Sequence, residues 1–270
     1  MKKALTALLI VVVLVLVSCA TKLLLSTDGQ WFQKLPADGS YVVTVSDANL
    51  LHSLVSLDSR LVERIDRASV SIGPDGWMGI IEGDIPVSLF KAGMLFSPEF
   101  NRKKGEDWYS DPGNTLKFAA LQDGLVILTD GDFGAARETA SSELNPVYID
   151  DETAQLMASS QIALYSFRPQ VLPAIQVLQD DFNPAGIRNL LIWVSGDKLN
   201  MIVDFETEQL AQAFSKLLRL SYISRLKRAE QPVVVSELKQ QLILEGKQVR
   251  ASGLYMAEGE VGQIVAAVRF

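Results

Sequence analysis

Along residues 41–45 every position is apolar except Thr44, and Tyr41-Val42-Val43-Thr44-Val45 is rich in β-branched and aromatic residues, the pattern of a strand. Asp47 then stands where a helix N-cap belongs. Over residues 48–66, Leu50, Leu54, Leu57 and Leu61 recur at i, i+4, i+7 and i+11 and make one apolar stripe, which predicts a helix. The period then changes to two. Val70 and Ile72 alternate with serines, Pro74-Asp75-Gly76 supplies a turn, and residues 77–81 return as the second arm of a hairpin. A helix is expected at about 86–96, followed by an irregular loop through Asp111-Pro112-Gly113. A second hairpin turns at Asp123-Gly124 between residues 116–121 and 125–128, and a short helix starts near Asp132.

The second half repeats that order. A strand at Ile162–Phe167 precedes a helix near 170–182. Leu199, Met201, Val203 and Phe205 alternate after a turn at Gly196-Asp197, a long helix covers 207–228, and a further hairpin turns at Glu245-Gly246. A closing segment holds Val261, Ile264 and Val265. Three landmarks share nearly one spacing: Tyr41 to Ile162 is 121 residues, Asp75 to Gly196 is 121, and Gly124 to Gly246 is 122. The fold expected is therefore α+β, as two tandem β-α-β-β-α-β-β-α pseudo-repeats with mostly antiparallel sheets and helices on one face. The residues of the two halves are barely alike, so chance alternation of elements stands as the other explanation. Boundaries are expected at 1–18 for a cleaved signal, 19–37 for a membrane-proximal segment, 38–145 and 161–270 for the repeats, and 146–160 for a connector.

Composition narrows the class. With 48% hydrophobic and 21% charged residues, 18 glycines and 10 prolines, the chain has the balance of a folded protein. A chain this long buries roughly 70–75% of the surface its unfolded form exposes, so its core needs no disulfide, and its one cysteine can make none internally.

That cysteine sits in an informative place. Met1-Lys2-Lys3 is basic, residues 4–17 are apolar apart from Thr6, and the run is short of the ~20 residues of a bilayer span. It ends in Leu16-Val17-Ser18-Cys19, which resembles the lipobox of bacterial type II signal peptides: aliphatic at minus three, small at minus one, then the cysteine. The resemblance covers about the first 20 residues. It implies cleavage between Ser18 and Cys19, a diacylglycerol on the sulfur of Cys19 and an acyl chain on its new amino group, with no other cofactor. Two or three acyl chains anchor stably where one is marginal. Ala20 after the cysteine, in place of Asp, implies by the same resemblance onward sorting to the outer membrane where an organism has two membranes. Otherwise the anchor holds the chain at the outer face of the cytoplasmic membrane.

Processing removes Lys2 and Lys3 and no acid, so the net charge moves from −7 to −9. A folded part this acidic has the wrong sign for a general nucleic-acid binder. Against that background two basic clusters stand out, Arg102-Lys103-Lys104 and Arg225, Lys227 and Arg228, with Lys104 and Arg225 separated by the repeat spacing of 121. They form a candidate patch for anionic headgroups or an anionic partner, while cations at a helix C-terminus also offset the macrodipole. The 207–228 helix carries Leu210, Phe214, Leu217, Leu218, Leu220, Ile223 and Leu226, a face suited to a sheet or to a membrane surface. Leu23, Leu24, Leu25, Trp31 and Phe32 suggest that the folded part lies near its membrane or covers a domain edge.

Catalytic chemistry is sparse. His52 is the sole histidine, with Ser56 one turn on and no nucleophile elbow or oxyanion turn. There is no HExxH, CxxC or phosphate-binding glycine pattern. Thr129-Asp130-Gly131-Asp132 has the start of a calcium loop without its remaining ligands, and reads better as a hairpin end followed by a helix cap. Asp150-Asp151-Glu152 and Asp180-Asp181 read as helix ends. Residues 263–270 alternate like the last strand of an outer-membrane barrel, but no other segment supports a barrel. Three readings follow: a non-catalytic binding or scaffolding module for an envelope protein or an apolar ligand, a membrane-active lipoprotein, and a hydrolase built on a carboxylate pair.

Overall fold

A computed structural model describes residues 31–37, 40–47, 49–51, 64–73, 76–95, 100–102, 105–142, 149–169, 186–257 and 260. The signal and Cys19, most of the 48–66 helix with His52 and Ser56, the 170–182 helix with Asp180 and Asp181, Lys103 and Lys104, and the 261–270 segment lie outside them. The chain divides into two compact units at Ile149/Asp150, with residues 37–41 going to the second. Both mix helices with antiparallel sheet, so the class is α+β.

In the first unit the strands are β1 (Tyr41–Val45), β2 (Ile65–Gly73), β3 (Gly76–Gly83), β4 (Asn101–Arg102), β5 (Tyr109–Ser110), β6 (Lys117–Gln122) and β7 (Leu125–Thr129), with helices α1 (Val87–Leu95) and α2 (Phe133–Ser141). Their order in the sheet is β1-β2-β3-β7-β6-β5-β4. The β2–β3 hairpin sets Arg67 opposite Glu82 and Ile72 opposite Trp77, and β7 pairs Ile127 with Ile80 of β3 and with Ala119 of β6. β2 begins at Ile65, so the last two residues of the expected 48–66 helix are strand instead.

All five residues of β7 are buried because both faces of this sheet are covered. On one face α1 sets Phe90 and Met94 against Phe118, Val126 and Leu128, and Phe118 meets Phe90 and Phe100 edge-on at 6.1 and 4.9 Å. On the other, a 3₁₀ turn at Trp31–Lys34 brings Phe32 and Leu35 to full burial, and Lys34 Nζ ties it to α2 by donating to Ala140 O at 2.9 Å.

The second unit has helix α3 (Asp151–Ser159), strands β8 (Ile162–Phe167), β9 (Ile187–Ser195) and β10 (Lys198–Phe205), helices α4 (Glu208–Arg228) and α5 (Val235–Gln241), and strands β11 (Leu242–Glu245) and β12 (Gln248–Tyr255). The sheet order is β8-β9-β10-β12-β11. Ser166 Oγ donates to Ser40 O at 2.7 Å and Phe167 N to Ala37 O at 3.1 Å, which explains why 37–41 belong here. Thr207 caps α4 by accepting from Leu210 N at 3.3 Å, and Ala211, Phe214, Leu218, Tyr222 and Leu226 sink into a core with Val203, Phe205, Val249 and Ala251. The turns that close β6–β7 and β11–β12 place Gly124 and Gly246 at φ 81° and 58°, a backbone region that glycine enters without strain.

The expectation of helices on one face does not hold. In the first unit α1 and α2 lie on opposite faces. In the second, Arg250 alternates with Val249 and Ala251 and so points away from α4, and there it meets Glu152 of α3 at 3.8 Å. α3 also fills most of what the sequence offers as a connector. The loop expected through Asp111 carries strand β5 at its start, and two-residue strands such as β4 and β5 are too short to show a period.

Candidate functional site

One open concavity lies in the first unit. It is a cleft of about 530 Å³ lined by Gly105, Glu106, Asp107, Trp108, Asn114, Lys117, Asp132, Phe133, Gly134 and Arg137. Two turns, the first residue of β6, and the cap and first turns of α2 build it. The β4–β5 loop brings Glu106, Asp107 and Trp108, the β5–β6 turn brings Asn114, and Asp132 to Arg137 come from the start of α2. Trp108 is half-buried and stacks on buried Phe133 at 5.5 Å and 27°, so the indole is braced from behind.

The rim is fixed by hydrogen bonds. Asp111 Oδ1 accepts from Thr115 N at 2.6 Å and Leu116 N at 2.8 Å, and Oδ2 accepts from the Thr115 hydroxyl at 2.8 Å. Burial pushes the Asp111 carboxyl up, but the N–H groups of Leu116, Thr115 and Gly113 and the Thr115 hydroxyl together hold it below its ordinary value. This knot presents Asn114, whose own N–H donates to Asp111 O at 2.9 Å and whose φ is 52°. Lys117 Nζ donates to Gly131 O at 2.6 Å. Arg137 and Asp107, both about half exposed, pair at 2.7 Å across the mouth.

Thr129-Asp130-Gly131-Asp132, which adjoins this cleft, serves the fold. Thr129 Oγ1 donates to Trp77 O at 2.9 Å, Asp130 Oδ1 accepts from Trp77 N at 2.8 Å, and Asp132 Oδ1 caps α2 by accepting from Ala135 N at 2.7 Å. Among the described residues no group of three His, Cys, Asp or Glu side chains is placed to hold a metal ion.

Among the described residues the most perturbed carboxyl lies away from the cleft. Glu82 on β3 is 2% exposed, and its carboxylate sits 3.5 Å from the Arg67 guanidinium on β2. Burial pushes it up to about 7, against the opposing pull of Arg67 and a hydrogen bond from the Trp31 N–H. The Arg67 guanidinium also lies over Phe32 at 5.2 Å. The pair therefore pins the 3₁₀ turn to the sheet.

Of the basic residues singled out in the sequence, Arg102 is exposed on β4 and donates from Nε to Glu106 O at 3.3 Å, beside the cleft. In the second unit Arg225 is half-buried and paired with Glu260, which leaves Lys227 and Arg228 as the exposed cations of that helix end. The outward side of α4 shows Leu217 and Leu220, 37% and 66% exposed. Ser18, Cys19, Lys103 and Lys104 lie outside the described residues. The cleft residues Asp107, Trp108, Asn114 and Arg137 carry no motif, and the one signal for them is a large aromatic amid acidic residues in a predicted loop. Among the described residues no helix is long and apolar enough to cross a membrane.

No protein-family model and no curated protein sequence matches the chain. Among solved structures it is similar over most of its length to the protein TP0453 in several crystal forms. Crystal form III gives a TM-score of 0.59 at 10% identity, over 90% of this chain and 99% of that one. Form IV gives 0.56 at 10% identity, over 88% and 96%, and form I gives 0.56 at 8%, over 93% and 100%. At such identities what the two chains share is the fold.

Proposed function

We propose that this chain is a cell-envelope lipoprotein, anchored by acyl chains on Cys19, whose α+β ectodomain is a non-catalytic binding module. The observation that carries the binding reading is the first-unit cleft, an open cavity of small-molecule size with a braced aromatic wall and polar groups already held in place by the fold. The anchor rests on Leu16-Val17-Ser18-Cys19 and the basic-then-apolar run before it. By the lipoprotein resemblance, Ala20 after the cysteine supports sorting of the anchor to the outer membrane where there are two membranes. An internal duplication accounts for the matching strand orders, β1-β2-β3-β7-β6 in the first unit and β8-β9-β10-β12-β11 in the second. A hydrolytic role is not favoured, since Asp107 is paired with Arg137 and Asp132 is committed to its helix cap.

Two measurements test this. Incorporation of an alkyne-bearing palmitate into the expressed precursor is expected, and Cys19→Ala is expected to abolish both the label and retention in the membrane fraction. A photo-cross-linkable residue replacing Glu106 is expected to give adducts in intact cells, and one replacing exposed Lys239 on α5 is expected to give none. Equal yields at both positions would overturn the binding reading.

A second reading, direct action on the bilayer, is favoured by one observation. Leu217 and Leu220 are exposed on α4 with Lys216, Lys227 and Arg228 around them. If it holds, residues 20–270 float with anionic vesicles at low salt and not with neutral ones, and replacing the two leucines by Ser abolishes flotation.

A further inference from the structure

The structure assigns the first-unit cleft to a neutral carbohydrate, an oligosaccharide that lays the C–H face of one ring on Trp108 and directs its hydroxyls to Asn114, Lys117, Asp107 and Arg137. This rests on the binding-module reading above and supplies its ligand class. An apolar ligand is excluded by the lining, which carries five ionisable side chains, Glu106, Asp107, Lys117, Asp132 and Arg137, whose desolvation no hydrocarbon repays. An anion would face three carboxylates against two cations, and both cations are already engaged, Lys117 by Gly131 O and Arg137 by Asp107. A cation finds the carboxylates dispersed, since Asp132 accepts from Ala135 N and Asp107 accepts from Arg137.

What remains suits a neutral molecule rich in groups that both donate and accept. A hydroxyl accepts from the Arg137 guanidinium or the Lys117 ammonium and donates to the Asp107 carboxylate or the Asn114 carbonyl, so a vicinal diol bridges the Asp107–Arg137 pair without either charge losing its partner. Hydrogen bonds to charged groups are the stronger kind, and here both partners are held by the fold before the ligand arrives. The negative face of the indole attracts the slightly positive C–H bonds of a pyranose, and Phe133 behind it keeps the ring from turning. The cleft volume of about 530 Å³ falls within the roughly 300–1,000 Å³ of small-molecule sites and admits more than one ring. The Asp111 knot holds the backbone of Asn114 at φ 52° on the rim, which fixes where its side chain leaves the chain.

The test is isothermal titration of the full mature chain, in a polyoxyethylene detergent that carries no sugar, with chitotriose, cellotriose and maltotriose, and with inorganic phosphate and glycylglycine as further probes. Saturable binding of at least one trisaccharide is expected, little changed by salt and weakened about tenfold or more by Trp108→Ala. Trp108→Phe retains a ring and should recover much of that loss. Asp107→Asn, an exposed and nearly isosteric change, should weaken binding several-fold while leaving the unfolding midpoint in place, which separates lost contacts from lost fold. Failure of all three sugars at millimolar concentration overturns the carbohydrate assignment, as does binding that ignores both Trp108→Ala and Asp107→Asn. If phosphate or the dipeptide binds in their place with the same dependence on Trp108, the sugar class falls and the binding module stands. Failure of every probe removes the sugar class, and a cross-linker at 106 no better than one at 239 removes the binding module as well.

Discussion

Glu82 offers the most exacting check on the physical reasoning, because two large effects oppose each other there and the structure says which wins. Its carboxyl is 2% exposed in a strand packed on both faces, and Arg67 is 3.5 Å away, longer than the 2.7–2.9 Å typical of a strong charged hydrogen bond. The guanidinium is shared besides, with Ser46 Oγ at 3.4 Å from its Nε and with the face of Phe32. Desolvation therefore outweighs attraction, and the carboxyl stands at about 7 where the ordinary value is 4.5. The folded state then holds a proton that the unfolded state releases between those values, so stability is full below pH 4.5, falls as the pH rises, and has lost this contribution above pH 7. At about 1.4 kcal/mol per decade the whole effect is about 3 kcal/mol, most of which lies between pH 5 and 8. Glu82→Gln keeps the shape and cannot titrate. Three of the four tryptophans, Trp31, Trp77 and Trp108, lie in the first unit, so a Trp193→Phe background lets fluorescence report that unit alone during urea unfolding. The stability of the parent relative to Glu82→Gln should fall by about 2–3 kcal/mol from pH 5 to pH 8, with other titrations cancelling in the difference. A difference that is flat, or that rises with pH, would mean that Arg67 stabilises the anion more than burial penalises it, and the account of this pair would be wrong.

Other substitutions follow from the same structure. Phe118→Ala removes a fully buried ring that meets Phe90, Phe100 and Tyr109, and should cost about 3–5 kcal/mol in the urea stability of the first unit. Asp111→Ala leaves the N–H groups of Thr115 and Leu116 without their acceptor and should cost about 1–3 kcal/mol at neutral pH. Because the Asp111 carboxyl is held below its ordinary value, that contribution is present above the unfolded pKa and is lost as the pH falls through the folded one, so the gap between parent and variant should close in acid. Thr207→Ala removes the cap of α4 and should cost about 1 kcal/mol, read in the second unit through Trp193 fluorescence.

The elements legible in the sequence are those whose environment has one period. β10 alternates at Leu199, Met201, Val203 and Phe205 because one of its faces meets α4, and α4 shows its stripe because the opposite side is solvated. The doubly covered faces were not legible. β7 reads only as an apolar run, and nothing in its pattern tells that α1 lies on one side and the 3₁₀ turn with α2 on the other. α3 and α5 are too short to show a full stripe; of α3 only its start is legible, in Asp150-Asp151-Glu152, where Asp150 caps the helix by accepting from Thr153 N at 2.7 Å. The cleft was invisible for a different reason. Asp107 and Arg137 are 30 residues apart, and Trp108 meets Phe133 only because β5, β6, β7 and α2 fold back on one another. Such a site has no spacing to read. The Glu82–Arg67 pair likewise depends on the register of one hairpin, which sets the two residues opposite each other.

The burial of β7 on both faces also bears on the export proposed for this chain. Leu125-Val126-Ile127-Leu128-Thr129 is a five-residue, strongly β-forming stretch without charge or proline, the kind of segment that pairs with copies of itself whenever it is exposed. A precursor threaded across a membrane before folding exposes that stretch with neither sheet face yet covered. Asp123 stands just ahead of it and Asp130 and Asp132 just behind, a placement of charges that discourages stacking between chains. After folding the same carboxylates accept from Val87 N, Trp77 N and Ala135 N. Replacing them by Asn would leave much of the folded hydrogen bonding intact while removing the protection in transit, so the harm would show as lost yield during secretion before it showed as lost stability.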